Sequence, residues 1–504
     1  MRVSTVLLQQ KGTESLLRQQ SEALKTQLQI ASGKRILNPA DDPAGAAKVL
    51  DLQQAIGVID RYQDNIGGVE SRLALEESVL DGVTDLVIRM KELAIQGANA
   101  TQSPDSLKGI LAEVEEHLET LVQLANTSDG NEYLFAGYKS KTIPFTETVG
   151  TFTYNGDQGV RMTQVGPSRQ IAETDSGYEV FMDIKDGNGT FTTAPVHSNT
   201  GTGIITVGTV TDSTAWVPDT YQVNFQTDSS GNLEYYVVQD PLGTPTQISP
   251  TPNLRASADS SNAGTGTIAL DFTGANEADA EYYIPIDIVF TGANDFNIVN
   301  ANTSAVLDSV TGYVAGTDIF PADGGWDPGY QAQISNAPQT GDSFRIERNG
   351  TTFTDGDTIA FNGIEFEITG EPIVGDLFTI DESSNQSMFE TFKALADALR
   401  MPQDNSSQTS IFHSAMGKVM EELNLALTNN NRVQAEIGAR MKAVEAEYEA
   451  NTGAVLALRE NLSSVQDLDM AEAITKYELQ LVSLQAAQQS YAKIQGLKLF
   501  DYIQ

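Results

Sequence analysis

The stretch ASGKRILNPADDPAGAA, residues 31–47, gathers the densest polar chemistry in the chain: Lys34 and Arg35, then Asn38, the adjacent carboxylates Asp41 and Asp42, and Pro43. Paired carboxylates can hold a hard cation or share acid–base work, and a Gly-Lys-Arg run can cradle phosphate. Spacing disfavours both. A hard cation wants several oxygen ligands, and no third or fourth lies nearby. The G-x-x-x-x-G-K-[ST] frame is missing, and no strand precedes SGKR. Asp42 before Pro43 instead has the form of an N-cap with proline at the first helical position, and Asp41 adds charge that suits a helix N-terminus. Lys34 and Arg35 are expected to pair with Asp41 and Asp42, within a subunit or across subunits. The segment is read as an elbow between two helices.

The other candidates are weaker. KDGNGT (185–190) and TDGDT (354–358) have the flavour of calcium loops, but neither fits the D-x-[DN]-x-[DN]-G frame, and both suit turns between strands. The three histidines, His117, His197 and His413, are far apart, and the chain has no cysteine for thiolate chemistry or a Cys-based metal site. There is no nucleophile elbow, no H-E-x-x-H and no dinucleotide fingerprint. No catalytic, metal or cofactor residues are expected, and the chain is read as a non-enzyme. Trp216 and Trp326 are the only tryptophans, 110 positions apart, a poor supply of platforms for a carbohydrate-binding or enzymatic module within 180–384.

The chain has 504 residues and a net charge of −38. Residues 141–384 hold 7 Lys+Arg against 33 Asp+Glu, whereas residues 1–140 hold 13 against 20 and residues 385–504 hold 10 against 15. Such acidity argues against nucleic-acid partners, which need basic patches. No apolar run is long enough for membrane insertion. Val6–Leu8 is too short a core for a cleavable secretory signal.

The elements that must position the elbow are long helices. A spacing of three and four runs from Leu7 through Leu17, Leu24, Leu28 and Ala31, with half its positions polar. Ile59, Ile66, Leu73, Leu80, Val87 and Ala94 repeat every seven residues. Ser103-Pro104 caps a third helix with Leu107, Leu111, Val114, Leu118, Leu121 and Ala125 on one face. Val433, Ile437, Met441, Val444, Tyr448, Asn451, Val455, Leu458, Leu462 and Val465 hold the strongest periodicity, with Asn451 read as a polar seam residue that fixes register. Asp469 and Glu472 form a capping-box pattern, and the last helix carries Tyr477, Leu481, Leu484, Gln488, Tyr491 and Ile494. Between the helical ends, short alternating runs such as TYQVNFQTD and IEFEITG, with frequent turn signals, predict antiparallel strands. APQTGDSFRI (337–346) and EPIVGDLFTI (371–380) echo each other, either as a duplication or as one strand type used twice in one sheet.

The expected architecture is α+β and multidomain. Coiled-coil-like N- and C-terminal helices form an α-helical stalk, with an inserted antiparallel β-rich outer region. Residues 1–42 and 466–504 are terminal core helices, 43–144 and 385–465 an inner α-helical domain, and 145–384 an acidic outer region of one or two lobes. Leu17, Leu24 and Leu28 are expected to meet Leu481, Leu484, Tyr491 and Ile494, in the same chain or in neighbours. Ile437, Val444, Asn451 and Leu458 pack the inner helix. So thin a terminal seam wants neighbouring subunits.

QIASGKRILNPADDPAGAAKVLDL resembles the N-terminal signature of the bacterial flagellin family. GNEYLFAGYKSKTIPFT with YNGDQG, and the C-terminal AEAITKYELQLVSLQAAQQSYAKIQGLKLFDYI, resemble the hook–filament junction members of that family. The resemblance covers roughly 1–180 and 385–504. It implies a structural, secreted flagellar subunit, exported through the type III route and assembled with copies of itself into a ring between hook-associated protein 1 and flagellin. It also implies an export chaperone that captures the C-terminal helices. A filament flagellin is the alternative within the same family.

Overall fold

The computed structural model describes residues 5–99, 102–242, 245–320 and 325–500; of 5, 6, 8, 9 and 494–500 only the backbone is described. Seven helices occur among the described residues: α1 Thr5–Ser32, α2 Pro43–Gly97, α3 Pro104–Ala125, α4 Gly177–Phe181, α5 Met388–Leu399, α6 Ser406–Gln466 and α7 Met470–Phe500. The chain divides into two compact units, residues 1–75, 160–174 and 436–504, and residues 76–159 and 175–435, with α2 and α6 contributing to both.

In the first unit α1 lies against α7. A hairpin of Met162–Gln164 and Gln170–Ala172 belongs to the same unit, with Val165 and Ile171 buried. The sequence reading began the β-rich region at 145 and had no separate place for this hairpin. Its charged rim pairs Arg169 with Glu447 at 3.8 Å and Arg72 with Glu173 at 3.5 Å. The seven-residue repeat of α2 is buried from Ile66 in this unit through Leu73, and on through Leu80, Val87 and Ala94 in the other.

In the second unit, Ser103 caps α3 as its sequence predicts, accepting from the Ser106 N–H, with Pro104 in the first turn. The stretch EYLFAGYKSKTIPF folds into an aromatic knot: Phe135, Phe145 and Phe181 are buried and pack edge to face. Tyr154 donates its hydroxyl to the carbonyls of Phe135 and Asp157 at 2.9 and 2.7 Å. Gly137, at φ +67°, is required there, because a Cβ would overlap the Asp157 carbonyl.

The acidic region forms two lobes with separate cores. In lobe 1 a sheet ordered Thr246–Ser249, Leu233–Gln239, Tyr221–Thr227, Leu377–Glu382, Phe191–Pro195 shares its core with a second sheet of Asp357–Phe361, Ile364–Thr369 and Ile204–Ile205. In lobe 2 a sheet ordered Leu254–Ala258, Ser343–Arg348, Ile286–Phe290, Phe296–Asn300, Val306–Val310 closes with the pair Thr267–Asp271 and Gln331–Ser335. Lobe 2 is inserted in the sequence of lobe 1. The two echoing decapeptides therefore lie in different sheets. Trp216 and Trp326 are packing residues of the two cores.

The echo has an atomic basis. Asp376 accepts from the N–H groups of Thr200, Gly201 and Ile373, while Asn199 exchanges two hydrogen bonds with Leu377 at 2.8 Å. Asp342 accepts from Ala263, Gly264 and Gln339, and Asn262 exchanges two with Ser343, also at 2.8 Å. Each lobe is closed by the same Asn–Gly–Asp clasp.

Between Asp186 and Ser384 the only cations are Arg255, Arg345 and Arg348, and all three lie on two adjacent strands of lobe 2. Arg255 joins Glu234 of lobe 1 to Glu347 at 2.5 and 2.7 Å. Arg348 lies over the rings of Tyr236 and Tyr283, at 4.3 and 3.4 Å from their centroids. In so acidic a region these contacts offset repulsion between the lobes.

Candidate assembly surface

The residues expected at the elbow, at the meeting of the terminal helices and in the inner-helix set Ile437, Val444, Asn451 and Leu458 all lie in the first unit. Gly33 ends α1 at φ +70°. The chain then runs beside the break between α6 and α7: Lys34 bridges Asp467, the Arg35 N–H donates to Gln466 at 2.8 Å, and the Leu468 N–H donates to Gly33 at 3.0 Å. The Arg35 guanidinium donates to the Val465 carbonyl at 2.9 Å and sits 3.3 Å from Asp42. One cation thus ties the end of α6 to the start of α2.

Asp42 caps α2. Its Oδ1 accepts from Gly45 at 2.9 Å and its carbonyl from Ala46 at 2.8 Å, leaving Pro43 as the first helical residue. Asp41 turns back, accepting from the N–H groups of Leu37 and Asn38, with its other oxygen 2.7 Å from Lys25 Nζ. The Lys25 hydrogen bond, followed by the Asn38 N–H, holds the Asp41 carboxyl below the ordinary range. Lys25 takes the place beside Asp41 that the sequence reading offered to Lys34, whose recorded part is its backbone bridge. Nothing in the local spacing marks Lys25, because its approach depends on how α1 meets the elbow. Asp469 caps α7, accepting from Ala471 and Glu472 at 3.0 and 3.1 Å.

Leu17, Leu24 and Leu28 form one stripe, as their spacing requires, but are 61%, 52% and 60% exposed. Among the described side chains of α1 the buried ones are Ala23 and Thr26, on the opposite side of the helix at 3.6 residues per turn. Gly12 abuts the Tyr491 ring, and the Thr13 and Tyr491 hydroxyls are 3.2 Å apart. Small residues let two helices approach closely, so they set the seam and the leucines turn outward. On α7, Ala473 is buried, Leu484 and Tyr491 are half-buried, and Leu481 is exposed; the Ile494 side chain lies outside the described residues. Within one chain, therefore, more than half of each of Leu17, Leu24 and Leu28 stays open to solvent. Leu479 and Val482 are also exposed, at 63% and 64%, while the side-chain oxygens of Gln19 and Gln480 are buried without a hydrogen-bond partner.

In the inner helix Ile437 and Val444 are buried, Leu458 is half-buried and Tyr448 is exposed. Asn451 is buried, but its amide donates to the Val165 carbonyl at 2.8 Å. That bond ties the inner helix to the hairpin.

The remaining candidates resolve as structure. Asp186 of KDGNGT accepts from Ser384 at 2.7 Å, and Asp357 of TDGDT accepts from Thr354 at 2.7 Å. His117 lies 3.5 Å from Glu113, and burial pushes His413 down. Among the described residues no cluster of three or more metal-ligating side chains occurs, and no helix is long and apolar enough to cross a membrane.

Residues 3–140 match the family described as bacterial flagellin N-terminal helical region. More narrowly, the chain is homologous to flagellar hook-associated protein 3. It is 34% identical to that protein of Escherichia coli (strain K12) over 185 residues, which is 36% of this chain and 58% of the relative. It is 31% identical to that of Salmonella typhimurium, with the same shares covered. The chain thus spans less than two thirds of either curated relative. The crystal structure of flagellar hook associated protein-3 from Legionella pneumophila matches with TM-score 0.59 at 25% identity, covering 82% of this chain and 98% of that one.

Proposed function

We propose that this chain is a structural subunit of the bacterial flagellum that forms the junction between hook-associated protein 1 and the flagellin filament. It assembles with copies of itself through its terminal helices after type III export. The observation that carries this reading is the outward leucine stripe of α1. A helix pair that seals itself with Ala23, Thr26 and Ala473 while exposing Leu17, Leu24, Leu28, Leu479 and Val482 leaves its apolar area for other copies. Homology to flagellar hook-associated protein 3 supplies the context.

In this reading residues 1–42 and 466–504 are the assembling core, 43–144 and 385–465 an inner helical shell, and 145–384, apart from the hairpin within 160–174, an outer region in contact with solvent. The Lys34–Pro43 elbow passes one shell to the next. An export chaperone covers the C-terminal helices before secretion, shielding α7. The filament-flagellin reading has less support, since flagellins also match but at 30% identity or less, below the 34% and 31% of the hook-associated proteins.

The test is deletion of the gene, scored by electron microscopy and by flagellin in the medium. Bare hooks with abundant shed flagellin are expected. Bare hooks without flagellin anywhere would make this chain the flagellin, and intact filaments would overturn the junction role.

A further inference from the structure

The two lobes share one clasp but differ in what covers it. In lobe 1 the face beside the clasp is seated on α6: Ser407 donates to the Asn199 carbonyl at 2.7 Å, Ser410 donates to the Thr202 carbonyl at 3.0 Å, and the Ile205 N–H donates to Ser414 at 3.3 Å. Asn199, Gly201, Gly203 and Ile205 are all buried there.

The corresponding residues of lobe 2 follow from the clasps and strand registers. Asn262, Gly264 and Gly266 match Asn199, Gly201 and Gly203; both second glycines abut a Phe ring and a Pro, Phe344 with Pro338 and Phe378 with Pro372. Ile268 pairs with Ile334 as Ile205 pairs with Ile368. None of the four lobe 2 residues is fully buried, and Thr267–Asp271 has a strand on one side only. The Thr265 N–H donates to Ala337, so by alternation the Ile268 N–H points away from Gln331–Ser335.

We propose that this face of lobe 2 is a docking site for an α-helix of a partner protein, with hydroxyl side chains spaced as Ser407, Ser410 and Ser414 are and with Lys or Arg beside them. The hydroxyl ridge is what the same face binds in lobe 1. The basic flank follows from charge complementarity: between Arg255 and Arg345 the sequence has twelve carboxylates and no Lys, Arg or His. The partner is another molecule, because this chain's own ridge is already occupied by lobe 1. Binding is helix-in-groove recognition with the hydroxyls setting register.

The test uses the full chain, which has no native cysteine. Ala269→Cys is labelled with an environment-sensitive dye, and Thr206→Cys provides the equivalent position in lobe 1; both sites are exposed. The probe is the synthetic peptide of residues 405–418, NSSQTSIFHSAMGK, which ends in Lys418. A saturable signal at 269 is expected, at least ten-fold weaker in affinity when the three ridge serines are alanine, weakened by salt, and absent at 206. No signal at 269, or equal affinity for the alanine peptide, overturns the proposal. A response at 206 alone means that the peptide displaces α6 from lobe 1, and equally overturns it.

Discussion

In lobe 2 large apolar side chains, among them Phe290, Phe296, Phe344 and Ile346, are withdrawn from solvent and the strands close around them. In the α1–α7 pair the large side chains Leu17, Leu24, Leu28, Leu479 and Val482 face outward, and small residues occupy the seam. The lobe carries its stability in its own core, whereas the helix pair leaves much of its apolar area to be buried elsewhere. Substitutions in the two places should therefore be read by different assays.

The sharpest form of that contrast pairs Phe344→Ala with Leu24→Asp. Truncating a fully buried phenylalanine removes its transfer energy and leaves a cavity, so lobe 2 should lose about 3–5 kcal/mol, measured by denaturant unfolding. Leu24→Asp replaces an exposed side chain, and the isolated chain should unfold within roughly 0.5 kcal/mol of the parent. In cells, however, it should be secreted yet absent from purified flagella. A secreted variant that still incorporates, or an isolated chain that loses stability comparably to the core variant, would break the comparison.

Acid should probe the lobe 2 clasp as well. Backbone N–H groups of Gln339, Ala263 and Gly264 hold the Asp342 carboxyl below its ordinary value of 3.8. A carboxyl depressed on folding contributes stability that is present above pH 3.8 and is lost as pH falls through the folded value. Lobe 2 should lose stability as the medium is acidified from neutral to below pH 3.8. Asp342→Asn should start lower at neutral pH and fall less steeply in acid, followed by near-UV circular dichroism. Parallel pH profiles for parent and variant would remove the clasp from the acid response.

How much of this was legible depended on how local each cause is. Asp42-Pro43 and Ser103-Pro104 announce caps because capping is settled within one turn. The α2 repeat names its buried residues because a seven-residue period fixes one face over many turns. The leucines of α1 named a stripe but not how much of it lies open: periodicity says which residues share a face, not which face a neighbour takes. Asn451 has the same lesson, since its amide bonds Val165, 286 positions away in sequence. Lys25 at the elbow and the identical clasps at Asp342 and Asp376 are likewise visible only once the chain has turned back on itself, although the Gly-Asp echo was the signal for the clasps.

Two glycines make the smallest and finest version of the comparison. Gly264 lies under the lobe 2 clasp, where a Cβ would overlap Asp342 and come within 2.6 Å of the Ala337 carbonyl. Gly33 lies at the elbow with nothing near the position of a Cβ, and only its φ of +70° resists a side chain. Gly33→Ala should therefore cost about 1 kcal/mol, the strain of a left-handed alanine. Gly33→Asn should cost less, because asparagine tolerates that region better. Gly264→Ala must move the clasp itself, so its penalty should exceed that of Gly33→Ala and should appear in the near-UV signal of lobe 2. Thermal unfolding of the three variants checks the order. If Gly33→Asn and Gly33→Ala prove equally costly, backbone conformation is not what limits the elbow; space is, and the joint is then packed as tightly as the lobe.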